Sequence, residues 1–305
     1  MYNNNLDLKK LPKAIVLLAT YNGQSYLAEQ IQSILSQKFV DVEIYIRDDG
    51  SLDDTAKISE GFSKKHENIH ILSTDISTGS AARNFRKIFL MFSNVRNHYI
   101  FLADQDDIWK PYKLHEAIKN LVNGADLVSG SLECFGHGIN KTYVIKKDAY
   151  FRKFDHFFQG LSAGCTYGIS PKLYNLVQNE LFNSWYNEND FSHDWLIYTI
   201  ARLHEMQIIH LSDAHIKYRQ HSTNVQGSLS GLKGFYYRAF NINQNWYINQ
   251  IKRNYVLAQV APAEQISLKA ILNKRFFFIL INCLQFRRNK IQSLYLSLYL
   301  LLRKK

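Results

Sequence analysis

The chain is poor in the residues that staple or punctuate a fold. Its 305 residues include three cysteines, Cys134, Cys165 and Cys283, scattered and odd in number. They form neither a disulfide framework nor a zinc-ligand spacing, which points to a reducing compartment. There is no internal repeat and no Pro-rich or Gly/Ser-rich linker, with only four prolines in all. No run approaches the roughly 20 apolar residues of a spanning helix. The N-terminal MYNNNLDLKKLPK lacks the apolar core of a signal peptide. Acidic residues are nearly missing from the last quarter. Residues 232–305 hold thirteen Lys/Arg and one acid, Glu264, whereas the remainder holds 24 basic and 25 acidic residues. The overall charge of +11 therefore belongs to one region. A near-neutral body precedes a basic tail, and such asymmetry points to a polyanionic partner, nucleic acid or an anionic membrane surface.

What is present is an alternation of short apolar runs and helical patterns. Ala14–Ala19 has no polar interruption, as in a strand buried on both faces. Leu27, Ile31, Ile34 and Leu35 recur at helical spacing within Ser25–Gln37. Val42–Ile46 predicts a second strand and Asp53–Lys65 a second helix. Ile69–Leu72 and Ala82–Phe92 predict the third pair, and Tyr99–Ala103 and Pro111–Val122 the fourth. This order implies an α/β fold with a parallel, Rossmann-like sheet. Beyond it the pattern is mixed: a strand at Leu127–Ser131, small and apolar residues over Gly160–Ile169, a helix at Asp194–Met206, and short strands at Ile208–Leu211 and Ile216–Arg219. After Gly234 the chain turns aromatic, Asn-rich, basic and helical.

Three polar loops follow predicted strands. They are Thr20-Tyr21-Asn22-Gly23, Arg47-Asp48-Asp49-Gly50-Ser51 and Asp104-Gln105-Asp106-Asp107. Each has a plain reading as a turn or a helix cap. All three, however, fall at the carboxyl edge of one sheet, where ligands bind in open α/β folds. Carboxylates crowded there repel one another unless they share a cation. Hard oxygen ligands suit Mg²⁺ or Mn²⁺, ions that usually carry substrate phosphates as well.

Ala19-Thr20-Tyr21-Asn22-Gly23, Arg47-Asp48-Asp49-Gly50-Ser51 and Asp104-Gln105-Asp106-Asp107-Ile108-Trp109 with Lys113-Leu114, in this order and spacing, resemble the family 2 glycosyltransferases. These are inverting enzymes of the GT-A fold that use nucleotide sugars. The subgroup most resembled is bacterial enzymes of lipopolysaccharide and capsule assembly, often rhamnosyltransferases. The resemblance covers roughly residues 13–225. It implies that Thr20, Tyr21 and Asn22 line the base and ribose, and that Asp49 accepts from the base N3–H, favouring uracil or thymine. Asp104 would face the ribose or sugar, with Gln105 beside it. Asp106 would hold the metal that bridges the diphosphate. Asp107 would contact the sugar or cap the next helix. Gly79 to Phe85 resembles the segment that reaches toward the nucleotide, with Arg83 near the phosphates or simply exposed. Here the family's usual Asn is replaced by Ser77. In His193-Asp194-Trp195 the resemblance places the catalytic base at Asp194, and Trp195 beside the acceptor. A helix N-terminus would hold that carboxylate ionised. His221 falls where relatives place a histidine near metal or diphosphate, and Gly164, Cys165 and Thr166 resemble the segment beneath the acceptor.

The division expected is a GT-A catalytic domain over 1–231, with a nucleotide-sugar half (about 13–125) and an acceptor half (about 126–225), then a basic helical region over 232–305. The donor implied is dTDP-rhamnose, with a UDP-hexose as the alternative. The acceptor implied is a lipid-linked glycan. In the tail, Phe276–Phe286 and Ile291–Leu302 are apolar patterns flanked by Lys/Arg. They suit peripheral binding to the anionic cytoplasmic face of the inner membrane. Packing on the catalytic domain or homodimerisation is the other reading. Charge interleaved with apolar runs argues against nucleic acid. A sugar-nucleotide-binding protein without activity is disfavoured by the intact acidic loop and Asp194. A nucleotidyltransferase is disfavoured because Thr20–Gly23 is not Gly-rich and basic.

Overall fold

β1 (Lys13–Thr20) is buried from Ala14 to Thr20, which is why its sequence shows no alternation of polar and apolar residues. The computed structural model describes residues 11–74, 76–92, 98–137, 139–146, 150–182, 192–221 and 245–302. β1 lies between β2 (Asp41–Asp48) and β4 (Tyr99–Ala103), parallel to both, and β3 (Ile69–Ile71) continues the parallel set beyond β2. On the other side the sheet runs β4-β8-β6-β9-β5, through β8 (Gly168–Ile169), β6 (Leu127–Gly136), β9 (Ile208–Gln220) and β5 (Ile108–Trp109). β8 and β5 are antiparallel to their neighbours, and β7 (Tyr143–Ile145) pairs antiparallel with β6. β6 and β9 are parallel. The expected strands at Ile208–Leu211 and Ile216–Arg219 form one continuous strand. Ser212 and Asp213 break the apolar pattern, but the ladder runs on through irregularities opposite Gly130–Leu132.

The two faces of β1 feed two cores. Ala14, Val16 and Leu18 pack with Leu27, Ile31 and Ile34 of α1 (Leu27–Leu35) and with Leu114, Ile118 and Leu121 of α4 (Lys113–Val122). Ile15, Leu17 and Ala19 face the other core. It contains Phe85, Ile88 and Phe89 of α3 (Ala81–Met91), Leu173 and Val177 of α5 (Pro171–Leu181), and Leu196 and Ile200 of α6 (His193–Leu203). α2 (Thr55–Ser63) lies beside α1 and β3.

The C-terminal helices extend this second core. They are α7 (Asn245–Leu257), α8 (Pro262–Leu272), α9 (Phe276–Ile281) and α10 (Lys290–Leu302). Ile251, Leu268, Ile271, Ile279, Phe286, Leu296 and Leu300 are buried within it. The apolar run from Phe276 is helical only to Ile281, because the Asn282 side-chain amide donates to the Phe278 carbonyl (2.8 Å) and caps the turn. A buried carboxylate joins the tail to the body. Asp155 accepts from the Tyr198 hydroxyl (3.0 Å) and from Arg202 Nη1 (2.8 Å), and Arg288 Nε lies 3.6 Å away. The boundary expected at residues 231 and 232, the Ser222–Asn224 stretch and the basic end Arg303–Lys305 lie outside the described residues.

Candidate active site

Because β2, β1 and β4 are parallel neighbours, their carboxyl ends open at one edge. Thr20 is in register with Asp48, and Leu18 with Ala103, so the three polar loops meet. Gln105 clamps the first loop. Its Oε1 accepts from the Tyr21 backbone N–H (2.7 Å) and its Nε2 donates to the Tyr21 carbonyl (2.8 Å). Asn22 takes a left-handed conformation (φ 48°), which Asn tolerates better than most residues. Its N–H donates to Ser51 Oγ (2.8 Å) and its side-chain oxygen accepts from the Leu52 N–H (2.9 Å). The Tyr21 ring is half exposed above this junction.

The structure corrects the role given to Asp49. Its two oxygens accept from Arg47 Nη1 (2.9 Å), the Thr78 N–H (2.8 Å), the Thr78 hydroxyl (2.9 Å) and the Gly79 N–H (3.0 Å). A carboxylate has about four lone-pair positions, and Asp49 is 2% exposed. Nothing is left for a nucleobase. Asp49 instead holds the Thr78–Gly79 turn against β2. Asp48, missed in the sequence, is half-buried. Its Oδ1 accepts from Thr20 Oγ1 (2.9 Å) and the Ser51 hydroxyl, and its Oδ2 from the Ser51 N–H (2.8 Å). That leaves one Oδ2 position among the described residues. The 79–85 segment does reach the loops, but through Asn84. Its amide donates to the Thr20 and Arg47 carbonyls (3.3 and 3.2 Å), while Arg83 is exposed on the first turn of α3.

The acidic loop is held from β9. Arg219 donates through Nε to the Asp106 carbonyl (2.9 Å) and through its backbone N–H to Asp107 Oδ1 (3.3 Å), and its guanidinium pairs with Glu29. His221 Nε2 lies 2.9 Å from Asp106 Oδ2, and its ring packs on Tyr26. Asp107 is fully buried, and its Oδ2 has no hydrogen-bond partner among the described residues. Ligand atoms of Asp104, Asp107 and Cys165 lie within 4.8 Å of one another. Burial, then the charges of Asp106 and Asp194, push the Asp104 carboxyl up to about 7. Lys113, also buried, sits with Nζ 3.4 Å from the Trp109 ring centroid. Burial lowers its ammonium to about 7 against the pull of Asp107.

The Gly164–Cys165 turn ties the start of α6 to this loop, since the Cys165 thiol lies within 4.8 Å of ligand atoms of Asp104 and Asp107 and Gly164 packs against His193 and Asp194. Asp194 Oδ1 accepts from the Ser192 hydroxyl and from the Trp195 N–H (2.8 Å). Gly164 is packed against the same turn: a Cβ there would lie 2.5 Å from His193 Nε2. Its smallness therefore admits His193 rather than a sugar. Three further residues given to the acceptor are buried instead. Cys165 is 1% exposed, its thiol turned toward the acidic loop, and burial raises its pKa. Trp195 is buried with its indole N–H donating to the His156 carbonyl (2.7 Å). Thr166 is also buried, its hydroxyl donating to the Ala163 carbonyl (2.8 Å). All three are packed beneath the loops, on the side of the site from which α6 begins.

The donor set fits a hard divalent cation. Asp106 and His221 already converge. Asp104 and Asp107, one of them with an unpartnered buried oxygen, supply the negative charge that such an ion offsets.

A parallel β3-β2-β1-β4 sheet with three polar loops, one of them acidic, at its carboxyl edge is the arrangement in which open α/β enzymes bind their ligands. Comparison with known proteins agrees. The family model "Glycosyl transferase family 2" matches residues 15–172, and the chain belongs to that family. The chain is 32% identical over 291 residues to the dTDP-rhamnosyl transferase RfbG of Shigella flexneri, covering 93% of this chain and 99% of that protein. Among solved structures it is similar to residues 1–349 of S. aureus TarS in complex with UDP. The TM-score is 0.57 at 18% identity, with 87% of this chain and 72% of that one covered. It is similar also to the mannosyltransferase PcManGT of Pyrobaculum calidifontis in complex with GDP-Man and Mn²⁺. There the TM-score is 0.51 at 14% identity, covering 97% and 89%. The fold is GT-A, and the protein is a glycosyltransferase.

Asp48→Asn should weaken UDP or dTDP binding by about 10-fold, the scale of one charge-assisted hydrogen bond. Asp49→Asn should instead lower the thermal midpoint, because it breaks a buried pair with Arg47. Calorimetric titration and thermal melts of both variants separate the roles; the reverse pattern would return the base to Asp49.

Proposed function

We propose that the protein transfers a sugar with inversion from a nucleotide diphosphate to a glycan hydroxyl, with Asp194 as the base. The observation that carries this reading is that the Gly164–Cys165 turn touches both groups: a Cβ on Gly164 would lie 3.6 Å from the Asp194 Cβ, and the Cys165 thiol lies within 4.8 Å of ligand atoms of Asp104 and Asp107. A metal-type loop and a carboxylate at a helix N-terminus thus face one site. Tyr21, Asn22 and Asp48 receive the base and ribose above the buried Thr20, Asp104 and Gln105 flank the ribose and sugar, and Arg83 stands on the phosphate side. Asp106 and His221 would hold Mg²⁺ or Mn²⁺, which when bound offsets the charge of the departing diphosphate.

Asp194 removes the proton of the acceptor hydroxyl. The freed oxygen bonds to the anomeric carbon from the face opposite the nucleotide. The bond from that carbon to the diphosphate oxygen breaks, and its electron pair leaves with the nucleotide. The same opposition of base and leaving group gives inversion in glycoside hydrolysis. The likeness to RfbG over nearly its whole length supports dTDP-rhamnose as donor and cell-surface polysaccharide, O-antigen or capsule, as product class. UDP-hexose is the competing donor.

Asp106→Asn should lower transfer at least ~100-fold, and EDTA should do the same to the wild type. Full activity under both conditions removes the metal from the reading. Asp194→Asn should retain nucleotide-sugar affinity and lose ~10²–10⁴-fold in turnover. Parallel loss of donor binding would make Asp194 structural.

A lipid-linked acceptor places the enzyme peripherally on the cytoplasmic face of the inner membrane. α9 and α10 adjoin one another and bury one face against the body, yet Phe277, Ile281, Ile291, Leu294, Leu298 and Leu302 remain exposed. Arg275 and Lys290 are exposed beside them, while the region's one carboxylate, Glu264, is half-buried near His156. No described helix is long and apolar enough to cross a membrane. Apolar side chains rimmed by cations suit an anionic bilayer, where each basic residue contributes about 1 kcal/mol. The protein should co-sediment with phosphatidylglycerol vesicles at low salt, less at high salt, and not after Phe277→Ser with Leu298→Ser. Monodisperse protein left in the supernatant, or a dimer that the double variant dissociates, assigns the face to solvent or to a second copy instead.

A further inference from the structure

The C-terminal region reaches the proposed base through one buried side chain. Gln250, on α7, is fully buried, and its Oε1 accepts from the backbone N–H of Ser192 (3.1 Å). Ser192 is the residue before α6, and its hydroxyl donates to Asp194 Oδ1. The amide of Gln250 is itself aimed by Arg253, one turn further along α7, whose Nη1 donates to the same oxygen (2.7 Å). Arg253 is buried in turn. Its Nε and Nη2 donate to Asn254 Oδ1 (3.1 and 2.7 Å), and its guanidinium lies 5.7 Å from the Trp195 ring centroid. Asn254 donates to the Phe157 carbonyl (3.0 Å) and the Tyr247 hydroxyl to the Phe158 carbonyl (2.7 Å). α7 is thus tied both to the turn under α6 and to the first residue of the α6 entry.

We propose that Gln250 is a positioning residue for Asp194: α7 sets Ser192, and Ser192 sets the rotamer in which Asp194 Oδ1 is engaged and Oδ2 faces the acceptor. The inference rests on Asp194 being the base. The covering of Oδ1 supports it, since both described partners of the carboxylate fall on that oxygen, and one comes from the residue Gln250 holds. It also explains why a fully buried amide stands at this position of α7. A buried Gln there needs both an N–H to accept from and a cation to orient it, and Ser192 and Arg253 supply them.

The full-length enzyme tests this with steady-state kinetics on Gln250→Leu, Gln250→Glu, Ser192→Ala and Asp194→Asn. Gln250→Leu removes the acceptor at matched size. It should lower kcat about 10-fold or more with donor KM within about 2-fold, the kind of loss that follows a small misplacement of a catalytic group. Gln250→Glu keeps an acceptor oxygen between Arg253 and Ser192 and should restore kcat to within about 3-fold of wild type. Ser192→Ala, at a half-buried position outside the core, should reproduce the kcat loss even if Gln250→Leu does not fold. Wild-type kcat in Ser192→Ala, or in folded Gln250→Leu, overturns the proposal, as does a Glu variant no better than Leu. If Asp194→Asn is itself fully active, the base assignment fails first, and that outcome is distinct from an inactive Asp194→Asn beside an active Gln250→Leu.

Discussion

Mutual repulsion among carboxylates at one end of the sheet is the constraint on which the rest of this structure depends. Asp104, Asp106 and Asp107 follow a single buried strand, and Asp194 adds its field from another element. Such a group is stable only if protons, cations or donors offset it. The protein supplies part of that offset. Arg219 grips the Asp106 carbonyl and donates its backbone N–H to Asp107, and His221 meets Asp106. The remainder, visible in the raised pKa of Asp104 and the unpartnered oxygen of Asp107, is the electrostatic room that a divalent ion and its diphosphate would fill.

The same constraint explains the buried groups behind the loop. Lys113 and Cys165 are buried beside Asp107, and the Asp107 carboxylate favours the Lys113 ammonium while burial disfavours it. Arg47 is likewise buried beside Asp49, and both are withdrawn from ligand duty to brace the turn between β3 and α3. Two of the strand-end loops thus hold adjacent aspartates that differ in burial: Asp49 is buried beside a half-buried Asp48, and Asp107 beside a half-buried Asp106.

That difference in burial marks how far the sequence could be read. Parallel strands and their loops were legible because fully apolar runs such as Ala14–Ala19 and polar strand ends are local signals. The motif order then located the edge of the site. Which of two adjacent aspartates faces inward is not local. It depends on Thr78, some thirty residues away, and on burial that neither residue type reveals. For the same reason Cys165, Thr166 and Trp195 read as acceptor contacts although they are floor residues. Small and aromatic side chains serve a core and a sugar equally well. Arg219 and Gln250 carried no pattern at all, since each is a single polar residue whose partner lies far along the chain.

The basic tail shows how net charge alone misleads. Its cations divide by burial into two groups with different work. Arg253 and Arg288 are turned inward, one onto Gln250 and the other beside Asp155, and both bear on α6. They fix a helix that carries the proposed base at its first turn and the Asp155-bound Tyr198 and Arg202 further along. Arg275 and Lys290 are turned outward beside exposed apolar side chains. A carboxylate that acts as a base must be held in a fixed orientation, and one folded helical unit braces α6 through Gln250 and Arg253 while Arg275 and Lys290 face outward from it.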